Sequence, residues 1–217
     1  MLLQVDSSAS DTRDSVSRQL TSLFAETWRS RHGPVGYRDL AAAPVPPLTR
    51  TYVTLGQRVE GFGTVPLGKV AELAENADER REWDLTLPLI DEVRAAGTVL
   101  IGAPMYNLSI SAALKAWIDR IGFPGVFTDP VSGRSLLRDK EVVVVTTRGG
   151  GYGPELNFQT PYLRAVLGKL GFSRANLTFI EAEFTRAEDV PGLARFRDHA
   201  AKSLAAAREA VLRRSRR

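Results

Sequence analysis

The chain has 217 residues, 43% of them hydrophobic and none in a run of eighteen apolar residues, so it predicts one substantial core and no membrane span. It has no cysteine, which excludes disulfides, thiolate nucleophiles, redox dithiols and iron–sulfur ligation; redox chemistry here needs a borrowed cofactor. The formal charge of +4 resides in Arg213, Arg214, Arg216 and Arg217, so residues 1–212 sum to zero and no basic face for nucleic acid is indicated.

Residues 2–6, with Leu2, Leu3 and Val5, predict the first strand. No basic leader or small-residue cleavage site accompanies this run, so the expected address is cytoplasmic. Leu20, Leu23, Phe24 and Trp28 then recur at helical spacing, followed by a weaker strand from Val35 to Leu40. Residues 41–65 contain Pro44, Pro46 and Pro47 with no sustained period and predict an ordered excursion or mobile loop. Residues 98–102 form the next strand, and Leu114, Trp117, Ile118 and Ile121 the helix after it. A strand at 141–147 precedes a helix on Leu163, Val166, Leu167 and Leu170; a strand at 175–181 precedes a last helix at 192–213 on Leu193, Phe196, Leu204 and Val211. Near-continuous apolar runs separated by helical patterns indicate parallel strands covered on both faces: a doubly wound α/β sheet of five strands in a single domain, 1–217.

In such sheets ligands bind beyond the carboxyl ends of the strands, where the winding direction reverses. After the first strand, Asp6-Ser7-Ser8-Ala9-Ser10-Asp11-Thr12-Arg13-Asp14-Ser15-Val16-Ser17 offers hydroxyls and a helix N-terminus suited to a phosphate ester, with Ser8, Ser15 and Ser17 as candidate ligands. It lacks the G-x-x-x-x-G-K-[ST] pattern of triphosphate hydrolysis. After the third strand, Ala103-Pro104-Met105-Tyr106-Asn107-Leu108-Ser109-Ile110 is unusually apolar for a loop: Met105 and Leu108 suit a flat aromatic ring, and Asn107 its polar edge. After the fourth, Thr147-Arg148-Gly149-Gly150-Gly151 lets backbone N–H groups approach a ring edge where negative charge develops. Each loop alone also reads as a cap or turn. Their joint placement fits phosphate, ring and ring edge of one FMN. His32 and His199 belong to no metal or triad spacing, so no metal is expected.

These residues resemble a known family, the FMN-dependent NADH:quinone and azo-compound reductases of the flavodoxin-like superfamily. The run Pro104-Met105-Tyr106-Asn107-Leu108, with Leu114-Lys115 and Asp119, is similar to the family's Pro-Met-Tyr-Asn-Phe flavin loop and following helix. Ser8 with Ser15-Val16-Ser17 resembles its phosphate loop, one residue longer here, and Thr147-Arg148-Gly149-Gly150 its Ser-Arg-Gly-Gly turn. The resemblance implies a flavodoxin-like parallel sheet in the order 2-1-3-4-5 with helices on both faces. It also implies bound FMN, NADH or NADPH as hydride donor, a quinone or azo acceptor served in a ping-pong sequence, and a homodimer whose partner helps wall the acceptor pocket. The implied cofactor-binding residues are Ser8, Ser15, Val16, Ser17, Pro104, Met105, Tyr106, Asn107, Leu108, Thr147, Arg148, Gly149 and Gly150. No side chain is implied as catalytic, since the flavin N5 carries the hydride. Leu108 stands where the family has an aromatic residue, and residues 122–136 also depart from its pattern, which leaves acceptor choice open. Two other readings stay open: a reductase that releases reduced flavin, and a flavodoxin-type electron carrier.

Overall fold

The computed structural model describes residues 1–217. In chain order the elements are β1 (Leu2–Asp6), α1 (Val16–His32), β2 (Val35–Asp39), α2 (Arg50–Gly61), α3 (Ala77–Ala95), β3 (Thr98–Pro104), α4 (Ala112–Ile121), β4 (Glu141–Thr147), α5 (Gln159–Leu170), β5 (Leu177–Ala182) and α6 (Arg197–Ser215). The five strands are all parallel, in the order β2-β1-β3-β4-β5. Asp6 stands level with Asp39 on one side and Gly102 on the other, and Thr147 is level with Pro104 and Ala182. The loops after β1, β3 and β4 therefore leave from one edge of the sheet.

Strand side chains alternate between faces, and both faces are covered. Leu3, Val5, Val99, Ile101, Val142 and Val144 join a core of 31 buried residues built with the helices α2 to α5. Leu2, Leu100, Val143, Val145 and Ile180 meet Leu20 and Phe24 of α1 and Ala207 and Val211 of α6 in a smaller core of 11. No helix is long and apolar enough to cross a membrane.

The structure moves several expected boundaries. The excursion at 41–65 contains α2, which begins where the prolines stop: the Thr49 hydroxyl accepts a hydrogen bond from the Tyr52 N–H, and Tyr52, Leu55 and Val59 make a buried stripe. That stripe is only three residues long, too short to stand out against its proline-rich flank. β3 continues through Ala103 and Pro104, since a proline at a strand end forfeits no ladder bond that a loop would need. At the C-terminus, Leu193 and Phe196 lie in a 3-10 turn over Pro191–Phe196 and only Leu204 and Val211 lie in α6.

Candidate functional site

Between β1 and β3 the chain reverses its winding, and the carboxyl edge opens there into a cavity of about 340 Å³. That volume lies within the ~300–1,000 Å³ of small-molecule sites. Its lining comes from the loops after β1, β3, β4 and β5: Ser8, Ser10, Asp14, Ser15 and Val16; Pro104, Met105 and Tyr106; Thr147 and Gly149; Thr185, Arg186 and Asp189.

The first loop is held from beneath. Asp6, buried at the end of β1, accepts hydrogen bonds from the Gln4 amide (2.9 Å) and the Thr21 hydroxyl (2.7 Å), and its burial pushes the carboxyl pKa up. The facing position on β3 is Gly102, where any Cβ would come closer than 3.0 Å to Asp6 Oδ1. The Ser7 hydroxyl donates to the Gly102 carbonyl at 2.7 Å, tying the loop to β3. Ser15 caps α1, and its hydroxyl lies 3.1 Å from that of Ser17. Ser15 and Val16 line the cavity, so the N-terminus of α1, with its unpaired first-turn N–H groups and the positive end of the helix dipole, borders it.

Arg18, one turn into α1, completes the support. Its guanidinium is buried and makes a two-pronged pair with Asp39 (2.8 and 2.7 Å), donates to the Tyr37 hydroxyl at 2.9 Å and reaches the Ser8 carbonyl at 2.8 Å. The pair lowers the Asp39 carboxyl to about 2, and burial raises the Tyr37 phenol to about 12. Asp39 also accepts from the N–H groups of Ala41 and Ala42, so one fork fixes both the phosphate-type loop and the start of the 41–49 segment.

The second loop is a tight turn. Tyr106 and Ser109 exchange backbone hydrogen bonds across Asn107 and Leu108, both in the left-handed region at φ 47° and 70°. A leucine there is strained, and such strain concentrates at ligand sites. The Met105 N–H donates to the Thr147 carbonyl at 2.7 Å, and the Leu108 carbonyl accepts from the Phe158 N–H at 3.2 Å. The Ala9 N–H donates to the Tyr106 hydroxyl at 3.0 Å, closing the first loop against the second.

In the third loop the glycines differ in purpose. A Cβ on Gly149 would meet the aliphatic stem of Arg186 at 3.1 Å, and one on Gly151 would enter the Phe184 ring; Gly150 has room, with only the Tyr152 ring at 3.9 Å. Arg148 turns its buried side chain back to β5, 3.2 Å from both Glu181 and Glu183.

Of the thirteen residues singled out in the sequence, Ser8, Ser15, Val16, Pro104, Met105, Tyr106, Thr147 and Gly149 line the cavity. Ser17 lies behind Ser15, Asn107 and Leu108 form the turn above, Gly150 sits beside Tyr152, and the Arg148 side chain faces away. Ser10 and Asp14, which belong to the first loop but were not named as ligands, also line it, as do Thr185, Arg186 and Asp189, while Arg18 supports it; sequence reasoning passed over these last four. The signal for Thr185 to Asp189 was available: they follow the carboxyl end of β5, subject to the same rule as the other three loops. Both histidines lie elsewhere, His32 beside Ser215 and His199 against Phe184.

A family model for the flavodoxin-like fold matches residues 1–210. The FMN-dependent NADH:quinone oxidoreductase of Nocardia farcinica is 36% identical over 200 residues, 89% of this chain and 87% of that protein. That of Frankia casuarinae is 38% identical over 217 residues, 97% of this chain and 96% of that protein. Among solved structures, an azoreductase from Bacillus anthracis superposes with a TM-score of 0.77 over 99% of this chain and 98% of that one; at 20% identity this likeness speaks to the fold. The chain belongs to the flavodoxin-like family of FMN-dependent NADH:quinone oxidoreductases.

Proposed function

We propose that this chain is an FMN-dependent oxidoreductase that moves two electrons from NADH or NADPH to a quinone or azo compound. The convergence of the loops after β1, β3 and β4 on one cavity carries the reading. The names of the relatives in Nocardia farcinica and Frankia casuarinae support it. When bound, FMN would supply the two-electron redox chemistry for the hydride that NADH or NADPH donates, with the two substrates using the site in turn in a ping-pong sequence.

The chain's own part is binding and positioning. Ser8, Ser15, Val16 and Ser17, with the first N–H groups of α1, hold the phosphate. Pro104, Met105 and Tyr106 form the wall for the ring, held up by the turn at Asn107 and Leu108. Thr147, Arg148, Gly149 and Gly150 present backbone groups to the ring edge, and the buried Arg148 side chain anchors that turn to β5. No side chain in the cavity is required as a general base. Phe158, exposed and bonded through its N–H to the Leu108 carbonyl, adds an apolar rim beside that turn, suited to a flat, apolar acceptor.

The same reading takes the chain as one unit over 1–217 that works in the cytoplasm as a homodimer. Large apolar side chains left exposed at Leu48, Val53, Phe62 and Phe158 support packing against a second copy. The test is an absorption spectrum of the purified protein, then NADH oxidation with menadione and with an azo dye. A flavin spectrum with acceptor-dependent turnover is expected. A protein that stays colourless and inert after FMN addition overturns the proposal.

A further inference from the structure

The charged residues lining the cavity are Asp14, Asp189 and Arg186. Neither aspartate pairs with the arginine: Arg186 makes no ion pair and no side-chain hydrogen bond anywhere in the structure. Its stem lies across Gly149, which has no side chain to displace it. Its backbone is fixed as well, because the Arg186 N–H donates to the Gly149 carbonyl and the Arg186 carbonyl accepts from Asp189 and Val190. The chain thus holds one uncommitted guanidinium among the residues that line the same cavity as Ser8, Ser10 and Ser15.

We propose that Arg186 reads the phosphomonoester dianion of the bound flavin, and so is what makes this site select FMN over riboflavin. The inference rests on the reading of the cavity as an FMN site. Two carboxylates beside a dianion raise the cost of binding it, and the hydroxyls of the first loop are neutral. The dipole of α1 supplies only a partial charge. Arg186 is the full positive charge in the lining, and guanidinium matches phosphate geometry with parallel N–H donors. Gly149 has a second role on this account: it leaves the space through which the Arg186 stem reaches the cavity.

A phosphomonoester could also arrive on the ribose of NADPH, and the experiment separates the two sources. Flavin-free wild type, Arg186→Gln and Arg186→Lys are titrated with FMN and with riboflavin by flavin fluorescence quenching, at low and high salt. Arg186→Gln is expected to weaken FMN binding about tenfold to a hundredfold, in line with loss of a charge-assisted hydrogen bond, and to leave riboflavin within about twofold. Its FMN affinity should also depend less on salt, and Arg186→Lys should fall between the two. The exposed side chain makes an unchanged melting curve the expected control. Equal FMN affinity in wild type and Arg186→Gln overturns the proposal and leaves the FMN reading intact. So does unchanged FMN binding with a selective rise in KM for NADPH over NADH, which assigns Arg186 to the nucleotide. Wild type that binds neither flavin overturns the FMN reading itself.

Discussion

The fork between Arg18 and Asp39 gives an asymmetric prediction. The arginine side chain is 5% exposed and the aspartate 23%. Asp39→Asn removes the negative charge and leaves a buried guanidinium with only neutral acceptors, the Tyr37 hydroxyl, the Ser8 carbonyl and the new amide. An uncompensated buried charge costs about 3–5 kcal/mol, and solvent access on the Asp39 side brings the expected loss to about 3 kcal/mol. Arg18→Met instead leaves a carboxylate that water can reach and that still accepts from the Ala41 and Ala42 N–H groups, so about 1–2 kcal/mol is expected.

The pair also fixes a pH signature. Asp39 is held at about 2, below its ordinary 3.8, so its pairing stabilises the fold fully above pH ~4 and the contribution, about 2 kcal/mol, disappears as pH falls through 2. Asp6 acts in the opposite sense, since burial raises its pKa and protonation relieves that cost. Wild type and Asp39→Asn share Asp6, so the difference between them isolates Asp39. Urea denaturation of the flavin-free proteins, followed by circular dichroism at steps from pH 7 to pH 2.5, should show that difference shrinking below pH 4. The reasoning fails if Asp39→Asn costs no more than Arg18→Met at pH 7, or if the wild-type advantage stays flat down to pH 2.5.

Three further outcomes follow from the packing. Arg120 is fully buried, donating to the Pro46 and Pro47 carbonyls, the Glu82 carboxylate and the Thr86 hydroxyl; Arg120→Met should cost about 3 kcal/mol and speed limited proteolysis within 41–49, read by urea melts and mass spectrometry. Gly102→Ala forces a methyl against Asp6 Oδ1 and the Thr21 methyl in the middle of the sheet and should lower stability by about 1–3 kcal/mol in a urea melt. In the third loop Gly151→Ala must displace the Phe184 ring and should lower the melting temperature of the flavin-free protein, whereas Gly150→Ala should not, so any loss of FMN affinity in Gly150→Ala reports on the ligand and not on the fold.

What was legible in the sequence divides along a physical line. β1, β3 and β4 are near-continuous apolar runs because both faces of a central parallel strand are covered, and the burial of Leu2 to Asp6 and Thr98 to Pro104 at every position is the cause of that signature; β5, at one edge of the sheet, is only partly buried and was read from Leu177, Phe179 and Ile180. β2 read weakly because it is an edge strand whose residues are only partly buried or exposed. α2 escaped notice since its buried stripe is short and its neighbours are prolines. The cavity lining was readable where residues sit just beyond a recognised strand end, as with Ser8, Pro104 and Gly149. The residues that were missed act over long sequence distances: Arg18 reaches Asp39 across 21 positions, and Arg186 lies over Gly149, 37 positions away, because β5 pairs beside β4 and the Arg186 N–H bonds the Gly149 carbonyl. Nothing local marks those two arginines among the others in the chain, since their neighbours in sequence are not their neighbours in space. For Arg148 the converse holds: it adjoins the glycines in sequence, yet its charge serves β5 through Glu181 and Glu183. Adjacency to a motif therefore locates the backbone of a ligand loop well and the destination of its long charged side chains poorly. On this chain the arginine that lines the cavity comes from the loop after β5, the one cavity-lining loop in which no motif was read.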